Sequence, residues 1–270
     1  MTSTLATRNR LLSLLLAVAF AVVAVLLGNW QWSRHQDRLD TRTVVESNYG
    51  SDPVALRSVL DGPDDPLASD ERWTRVEVQG RYDADEQLLV RNRPFRGTYG
   101  YEVVVPLLLD EGATAVLVNR GWVPNARDAA TLPEVPPAPE GPVTVTGWLR
   151  PGEADLDREP VAGQLASIDL AEAAERAGLD LYDAYLVLQP EPVTGADVAS
   201  TPPRPAPAEP PDTGLGSHLA YALQWWLTAP IGLVLVLVIA RRDLREAQGL
   251  DRVAAPARPR RTRIWDEEDE

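Results

Sequence analysis

The chain holds two histidines in 270 residues, and both stand at the edge of a long apolar run. His35 lies five residues beyond Trp30, and His218 opens the second run. A neutral imidazole is a ready ligand for haem iron and for metal ions. The second run begins Ser217-His218-Leu219-Ala220-Tyr221-Ala222-Leu223-Gln224-Trp225-Trp226. At about 100° per residue, His218, Tyr221, Ala222, Trp225 and Ala229 share one helical face. That face offers an imidazole, two aromatic rings and two small residues past which a flat macrocycle or a partner helix can come close. His218 is therefore the candidate metal ligand, with Tyr221 and Trp225 as candidate lining. The same Trp and Tyr placement also arises at membrane interfaces with no ligand present, so both readings stand on the residues alone.

The first run ends Leu27-Gly28-Asn29-Trp30-Gln31-Trp32-Ser33-Arg34. Gln31 and Arg34 are about one helical turn apart, placed to face Gln224 or His218. The alternative is an aromatic belt with Arg34 reaching lipid headgroups. Further on, Arg91, Arg93 and Arg96 cluster near a turn, and Arg120-Gly-Trp-Val-Pro follows a strand pattern. These arginines suit either propionate or phosphate groups, or pairing with the chain's own carboxylates. Gly97-Thr-Tyr-Gly100 lacks the spacing of a phosphate loop and precedes a strand pattern, so it is not a nucleotide site.

Much chemistry is excluded. There is no cysteine, and Met1 is the only methionine. Thiol redox reactions, covalent haem attachment through Cys-x-x-Cys-His, and copper delivery through sulfur ligands all fall away. With no histidine between 35 and 218, neither a Ser-His-Asp hydrolase nor a His-ligated zinc enzyme fits that region. No acid, base or nucleophile stands out, although carboxylate pairs are too numerous to exclude an exported glycosidase-like enzyme.

The elements that must position these residues begin with the two apolar runs. Leu11 to Trp30 and Leu219 to Ala240 carry no charge, and at about 1.5 Å per residue each spans the roughly 30 Å hydrocarbon layer. A cleavable signal peptide is the alternative for the first. Its Ala17-x-Ala19 and Ala19-x-Ala21 patterns lie inside the run instead of after it, which favours an uncleaved anchor. The chain contains no lysine, and eight arginines follow the second run while Arg204 is the nearest before it. That end is expected to be cytoplasmic, and two spans put both termini there, in a multi-pass protein of the cell membrane.

Between the runs, Gln31 to Ser217 carries 16 arginines against 32 Asp and Glu, a net charge of −16. Such an acidic segment repels nucleic acid, so no nucleic-acid partner is expected. Short alternating runs predict strands at Trp73–Tyr82, Gln87–Asn92, Tyr99–Leu109, Ala113–Val123, Val143–Arg150 and Tyr185–Gln189. Asp110-Glu111-Gly112 reads as a tight hairpin loop. Ile168 to Ala177 predicts a helix with Ser167 at its start and Gly178 at its end. Eight prolines between Gln189 and Thr213 mark an extended linker.

The fold class expected is α+β: two transmembrane helices flanking a β-rich, antiparallel extracytoplasmic domain, either open or closed into a barrel. The divisions are a cytoplasmic N-terminus over 1–10, a first span over 11–30, the domain over 31–188, the linker over 189–217, a second span over 218–240 and a cytoplasmic charged tail over 241–270.

Several pieces in order resemble the surfeit locus protein 1 family of cytochrome oxidase assembly factors. They are Leu27-Gly-Asn-Trp-Gln31, Val76-Glu-Val-Gln-Gly-Arg-Tyr82, Gly100-Tyr-Glu-Val-Val-Val-Pro-Leu107, Val118-Asn-Arg-Gly-Trp-Val-Pro124, Val143-Thr-Val-Thr-Gly147 and His218-Leu-Ala-Tyr-Ala-Leu-Gln-Trp-Trp226. The resemblance covers about Gly28 to Arg242. It implies a non-enzymatic role in maturing subunit I of haem-copper oxidase, with haem a bound and passed on. It implies that His218 matches the proposed haem ligand, and it leaves the second axial ligand unassigned. Tyr221 and Trp225 would then line the site, Gln31 would stand opposite, and Arg34 would meet a propionate. Partners implied are oxidase subunit I, haem a synthesis or oxidase assembly proteins, and the lipid bilayer. A cofactor-free membrane scaffold for oxidase subunits is the alternative.

Overall fold

The computed structural model describes residues 2–109, 114–127, 131–189 and 204–248. The expected hairpin loop at 110–112, most of the proline-rich linker and the charged tail beyond 248 lie outside the described residues. The chain divides into two compact units, one holding both long helices and the other running from Leu39 to Gly214.

In the helical unit, α1 (Thr2–Asn48) and α3 (His218–Ala247) are both long and apolar enough to cross a membrane. No glycine or proline interrupts the polar stretch after Trp30, so α1 runs on unbroken to Asn48, with Arg42 paired to Glu46 one turn away. The outward faces carry exposed Leu, Val, Ile and Phe, as lipid contact requires. The inward face of α1 is a line of small residues, Ala17, Ala24 and Gly28, continued by Gln31 and His35. This is the alternating three-and-four spacing of a helix-packing seam. Ala222 and Ala229 are the buried small residues of α3. The helices are antiparallel, because Gly232 lies against Ala17 and Phe20 while His218 lies against Gln31. Small side chains let the two backbones approach without voids, the main source of helix attraction where no water is excluded.

The second unit is a mixed eight-stranded sheet: β1 (Val54–Ala55), β2 (Arg75–Tyr82), β3 (Leu88–Phe95), β4 (Thr98–Leu108), β5 (Thr114–Pro124), β6 (Pro142–Arg150), β7 (Gln164–Leu165) and β8 (Asp180–Leu188). Helix α2 (Leu170–Ala177) connects the last two. The order is β1-β2-β6-β8-β5-β4-β3-β7, and β2 also pairs with β4. Five strands thus close on themselves, β2-β6-β8-β5-β4 and back to β2, so the sheet forms a barrel. The seam is short, with Arg81 opposite Leu108 and Tyr82 opposite Leu107. Gly80 sits where β2 turns from β6 toward β4, and a Cβ there would stand 2.4 Å from the Leu108 carbonyl oxygen. Only glycine fits that approach.

The expectation of an antiparallel sheet needs correction. Pairs β5–β8, β1–β2 and β3–β7 are parallel, because β8 inserts between β6 and β5 and can oppose only one of them. Strands β4, β5 and β8 are buried on both faces, which explains why they read as continuous apolar runs. Val103, Val105, Val116, Val118, Tyr182 and Leu186 point into one core. Val104, Leu117, Tyr185 and Val187 point into a second, covered by Ile168, Leu170 and Ala173 from α2 and its approach. In β2, Val76 and Val78 are buried while Glu77 and Gln79 face out, the alternation expected of a strand with one wet face.

Helix α2 starts two residues later than its pattern predicts. Ser167 is not its cap, since its hydroxyl donates to the Ala154 carbonyl. Asp169 caps instead, accepting from the Glu172 amide at 3.0 Å, and Gly178 ends the helix at φ 63°. Both residues are good caps, but only Asp169 precedes the first helical turn. Asp169→Ala is expected to lower unfolding stability by about 1 kcal/mol, read as a shift in urea midpoint at unchanged slope.

Candidate functional site

At one end of the helix pair, Nδ1 of His218 lies 2.9 Å from Oε1 of Gln31. That oxygen can only accept, so Nδ1 donates, and in the neutral ring this leaves the lone pair on Nε2. Fixing one imidazole nitrogen by a hydrogen bond to an amide oxygen is how proteins orient a ligating histidine and keep the other nitrogen available. The Nε2 edge faces the turn before α3. Gly216 there has φ 61°, and a Cβ on it would stand 3.5 Å from Nε2.

About two turns deeper along α3, Trp226 closes the seam. Its Nε1 donates to Asn29 Oδ1 at 3.2 Å, its ring lies 6.0 Å from that of Trp32, and a Cβ at Gly28 would collide with it. Gly28 and Asn29 of the first run are therefore seats for Trp226, a pairing legible only once the antiparallel register is known. The other residues of the expected face are arranged differently. Tyr221 is 48% exposed, Trp225 is half-buried, and Gln224 is exposed. Arg34 is exposed and pairs with Asp37 at 3.7 Å instead of facing α3. His35 is buried, 7% exposed, beside the Trp32 ring at 5.7 Å, and its Nδ1 has no hydrogen-bond partner among the described residues. An orphaned buried polar atom of this kind carries a penalty of about 1–3 kcal/mol.

The arginines of the sheet unit serve its architecture. A bulge between Val90 and Arg93, with Asn92 at φ 61°, turns Arg93 inward to bridge Glu102 at 3.2 Å and Glu153 at closer range. These residues line a cleft of about 220 Å3 walled by Trp73, Phe95, Trp122 and Tyr185. Burial, aided by Glu153, raises the Glu102 carboxyl above the usual range despite Arg93. Burial also opposes ionisation of Glu153, but bonds from Arg93 and the Ile168 amide outweigh it and lower that carboxyl. Burial pushes the Tyr185 phenol well up. Two carboxyls driven apart in acidity are the mark of acid–base pairs. Here a guanidinium already fills the space between them, so the arrangement is an internal ion cluster. Arg91 donates to the Glu159 carbonyl, and Arg96 lies 5.0 Å over the Phe95 ring.

The Asn119-Arg-Gly-Trp-Val-Pro piece is a second bulge. Register shifts opposite Val103 and Val104, and the Asn119 side chain accepts from the Gly121 amide at 3.0 Å. Arg120 is buried and donates to the carbonyls of Pro136 and Pro137, so it is not available to propionates or phosphates. Trp122 stacks on Phe95, donates to the Arg93 carbonyl, and pairs its backbone with Ala206.

The chain matches the model of the SURF1 family over residues 18–229. It is 31% identical over 232 residues to an uncharacterised SURF1-like protein of Mycobacterium tuberculosis, covering 81% of each chain. It is 30% identical over 238 residues to a SURF1-like protein of Monosiga brevicollis, covering 82% of this chain and 85% of the other. A shorter match, 25% over 114 residues, covers 42% of this chain and 28% of a Saccharomyces cerevisiae protein named cytochrome oxidase assembly protein SHY1. The matched span takes in most of α1, the beginning of α3, the whole barrel and the Gln31–His218 pair, and the chain belongs to the SURF1 family.

Proposed function

We propose that this protein is a non-enzymatic assembly factor of haem-copper cytochrome oxidase, which receives haem a at the outer ends of α1 and α3 and assists its insertion into subunit I. The yeast relative's name supplies the assembly role. The observation that carries the haem reading is the His218 ring, held through Nδ1 by Gln31. Haem supplies an iron whose axial position an imidazole fills. His218 would hold it, Gln31 would keep the imidazole in the ligating tautomer, and the Trp226 seam would exclude water from the proximal side. Arg34 is held only by an exposed pair, which is weak enough to exchange for a propionate. The arginines after α3 support a reading with both termini in the cytoplasm and the site at the outer surface of the cell membrane. There it would meet subunit I, and haem a synthesis or other assembly proteins would supply or share the load.

The test is the absorption spectrum of the full-length protein purified from cells that make haem a. Wild type is expected to carry a Soret band. His218→Ala is expected to lower occupancy by about tenfold or more, and Gln31→Leu by about tenfold. A wild-type protein without the band, or a His218→Ala protein with the band unchanged, would leave a cofactor-free scaffold as the function.

A further inference from the structure

We infer that a groove between the last turns of α1 and the loop entering β2 binds a small monocarboxylate, held by Arg150 and Arg72. The groove encloses about 250 Å3, and every residue lining it belongs to the sheet unit, so the inference is independent of the haem reading. Arg150 ends β6 opposite Tyr185 of β8. Its guanidinium lies 4.8 Å over the Trp73 ring and 5.9 Å over that of Tyr185. Ring contacts of this kind orient the guanidinium plane while its edge N–H donors stay unengaged. Among the described residues no hydrogen bond or ion pair takes those donors up. Glu102 and Glu153, which line the neighbouring cleft with Arg150, are already bridged by Arg93. An oriented guanidinium with open donors in a cavity is the arrangement that receives a carboxylate through two parallel bonds.

The rest of the lining sets the ligand's charge and size. Arg72 and Asp40 are the other charged groups of the groove, so two arginines stand against one carboxylate and a single positive charge is left over. A singly charged acid balances it, whereas a dianion would be repelled by Asp40. Ser69 adds a hydroxyl, and Val44, Pro151 and the Trp73 ring supply apolar wall. At about 30 Å3 for each water-sized group, the space holds about eight non-hydrogen atoms, the size of a carboxyl on a small ring or short chain. The loop is also fixed in this shape. Trp73 has φ 64°, a left-handed backbone that a bulky residue adopts only where its surroundings impose it. Its amide donates to the Leu149 carbonyl at 2.8 Å, and the Asn48 side-chain amide donates to the carbonyls of Asp70 and Arg72. Backbone strain held in this way gathers at binding sites, and here it presents the ring on which Arg150 rests.

The experiment titrates benzoate into the full-length protein in detergent, purified from cells that make no haem a, by calorimetry against a detergent blank. Wild type is expected to bind one benzoate with a Kd of about 1 mM or below. Benzamide, of the same size but uncharged, is expected to bind about tenfold more weakly. Arg150→Gln is expected to weaken benzoate by about tenfold and Arg72→Gln by about threefold. Asp40→Asn is expected to tighten it by about threefold, a gain that damage to the fold cannot produce. No saturable binding of benzoate to wild type at about ten times the expected Kd would overturn the site. Benzamide bound as tightly as benzoate would do the same, because the arginines would then play no part, and so would an unchanged affinity in Arg150→Gln. Should Arg150→Gln fail to fold, Arg72→Gln and Asp40→Asn decide, since both positions are exposed, and unchanged affinity in the two overturns the inference. None of these outcomes bears on His218, whose test is the Soret band.

Discussion

Gly80→Val is expected to destabilise the barrel by about 3 kcal/mol, enough to lower its urea midpoint clearly and to let the protein degrade in the cell. The clash is with backbone: the first added carbon would sit 2.4 Å from the Leu108 carbonyl oxygen and 2.9 Å from Leu107 Cγ. A side chain can rotate away, whereas Leu108 is held in register by Arg81 on one side and Ala115 on the other. Valine therefore opens the two-residue seam, and the core holding Val105, Leu107 and Tyr82 opens with it. The measurement is urea unfolding of the full chain in detergent, followed by tryptophan fluorescence. Gly62→Ala is the control, since no heavy atom lies within 4 Å of a Cβ at that position. A Gly80→Val midpoint as high as that of Gly62→Ala would mean that the seam does not hold the barrel shut.

Arg93→Met is expected to remove about 2–3 kcal/mol at neutral pH, somewhat less than a fully buried pair because the side chains keep about a quarter of their exposure. The substitution keeps the volume but leaves Glu102 and Glu153 facing each other with only the weaker pull of Arg150 to offset them. The sign of the pH dependence follows from their opposite shifts. Glu153 is lowered in the fold, so its contribution is present above the ordinary carboxylate range and is lost as pH falls through its lowered value. Glu102 is raised, so its contribution is present in acid and is lost as pH rises through its raised value. Without Arg93 both carboxyls shift upward and both come to favour acid. The deficit relative to wild type should therefore be full at about pH 7 and shrink toward about pH 4, where the carboxyls gain protons. Unfolding curves at the two pH values check this, and an equal deficit at both would show that Arg93 acts by packing alone.

The two apolar helices were legible in the sequence because twenty uncharged apolar residues admit few alternatives. Strand β2 was legible because alternation survives wherever one face is wet, as at Val76 and Val78, and β4 and β5 because strands buried on both faces read as short continuous apolar runs. Strand β8 was recognised only from Tyr185 onward. Its first half, Asp180 to Ala184, mixes exposed aspartates with Leu181 and Tyr182, which point to different cores. Two-residue strands such as β1 and β7 carry no period at all. Barrel closure depends on Gly80 meeting Leu108, a contact between segments far apart in the chain, and no local pattern encodes it. In the candidate site, the hydropathy pattern placed Gln31 and His218 at the same surface but could not tell that Trp226, instead of Trp225, reaches Gly28 and Asn29. That choice is set by helix rotation, which differs by about 100° between adjacent residues.

The Asn119-Arg-Gly-Trp-Val-Pro bulge spends all of its polar groups on the protein itself: Arg120 on two proline carbonyls, Asn119 on Gly121, Trp122 on Arg93 and Ala206. The framework and the proposed haem site are thus written in separate words of the same chain. A search with the bulge alone would ask for this barrel and nothing about a ligand. A search with Gln31 and His218 at the ends of two apolar helices asks the other question, and a chain that answers only one of the two would be a scaffold that has changed its trade.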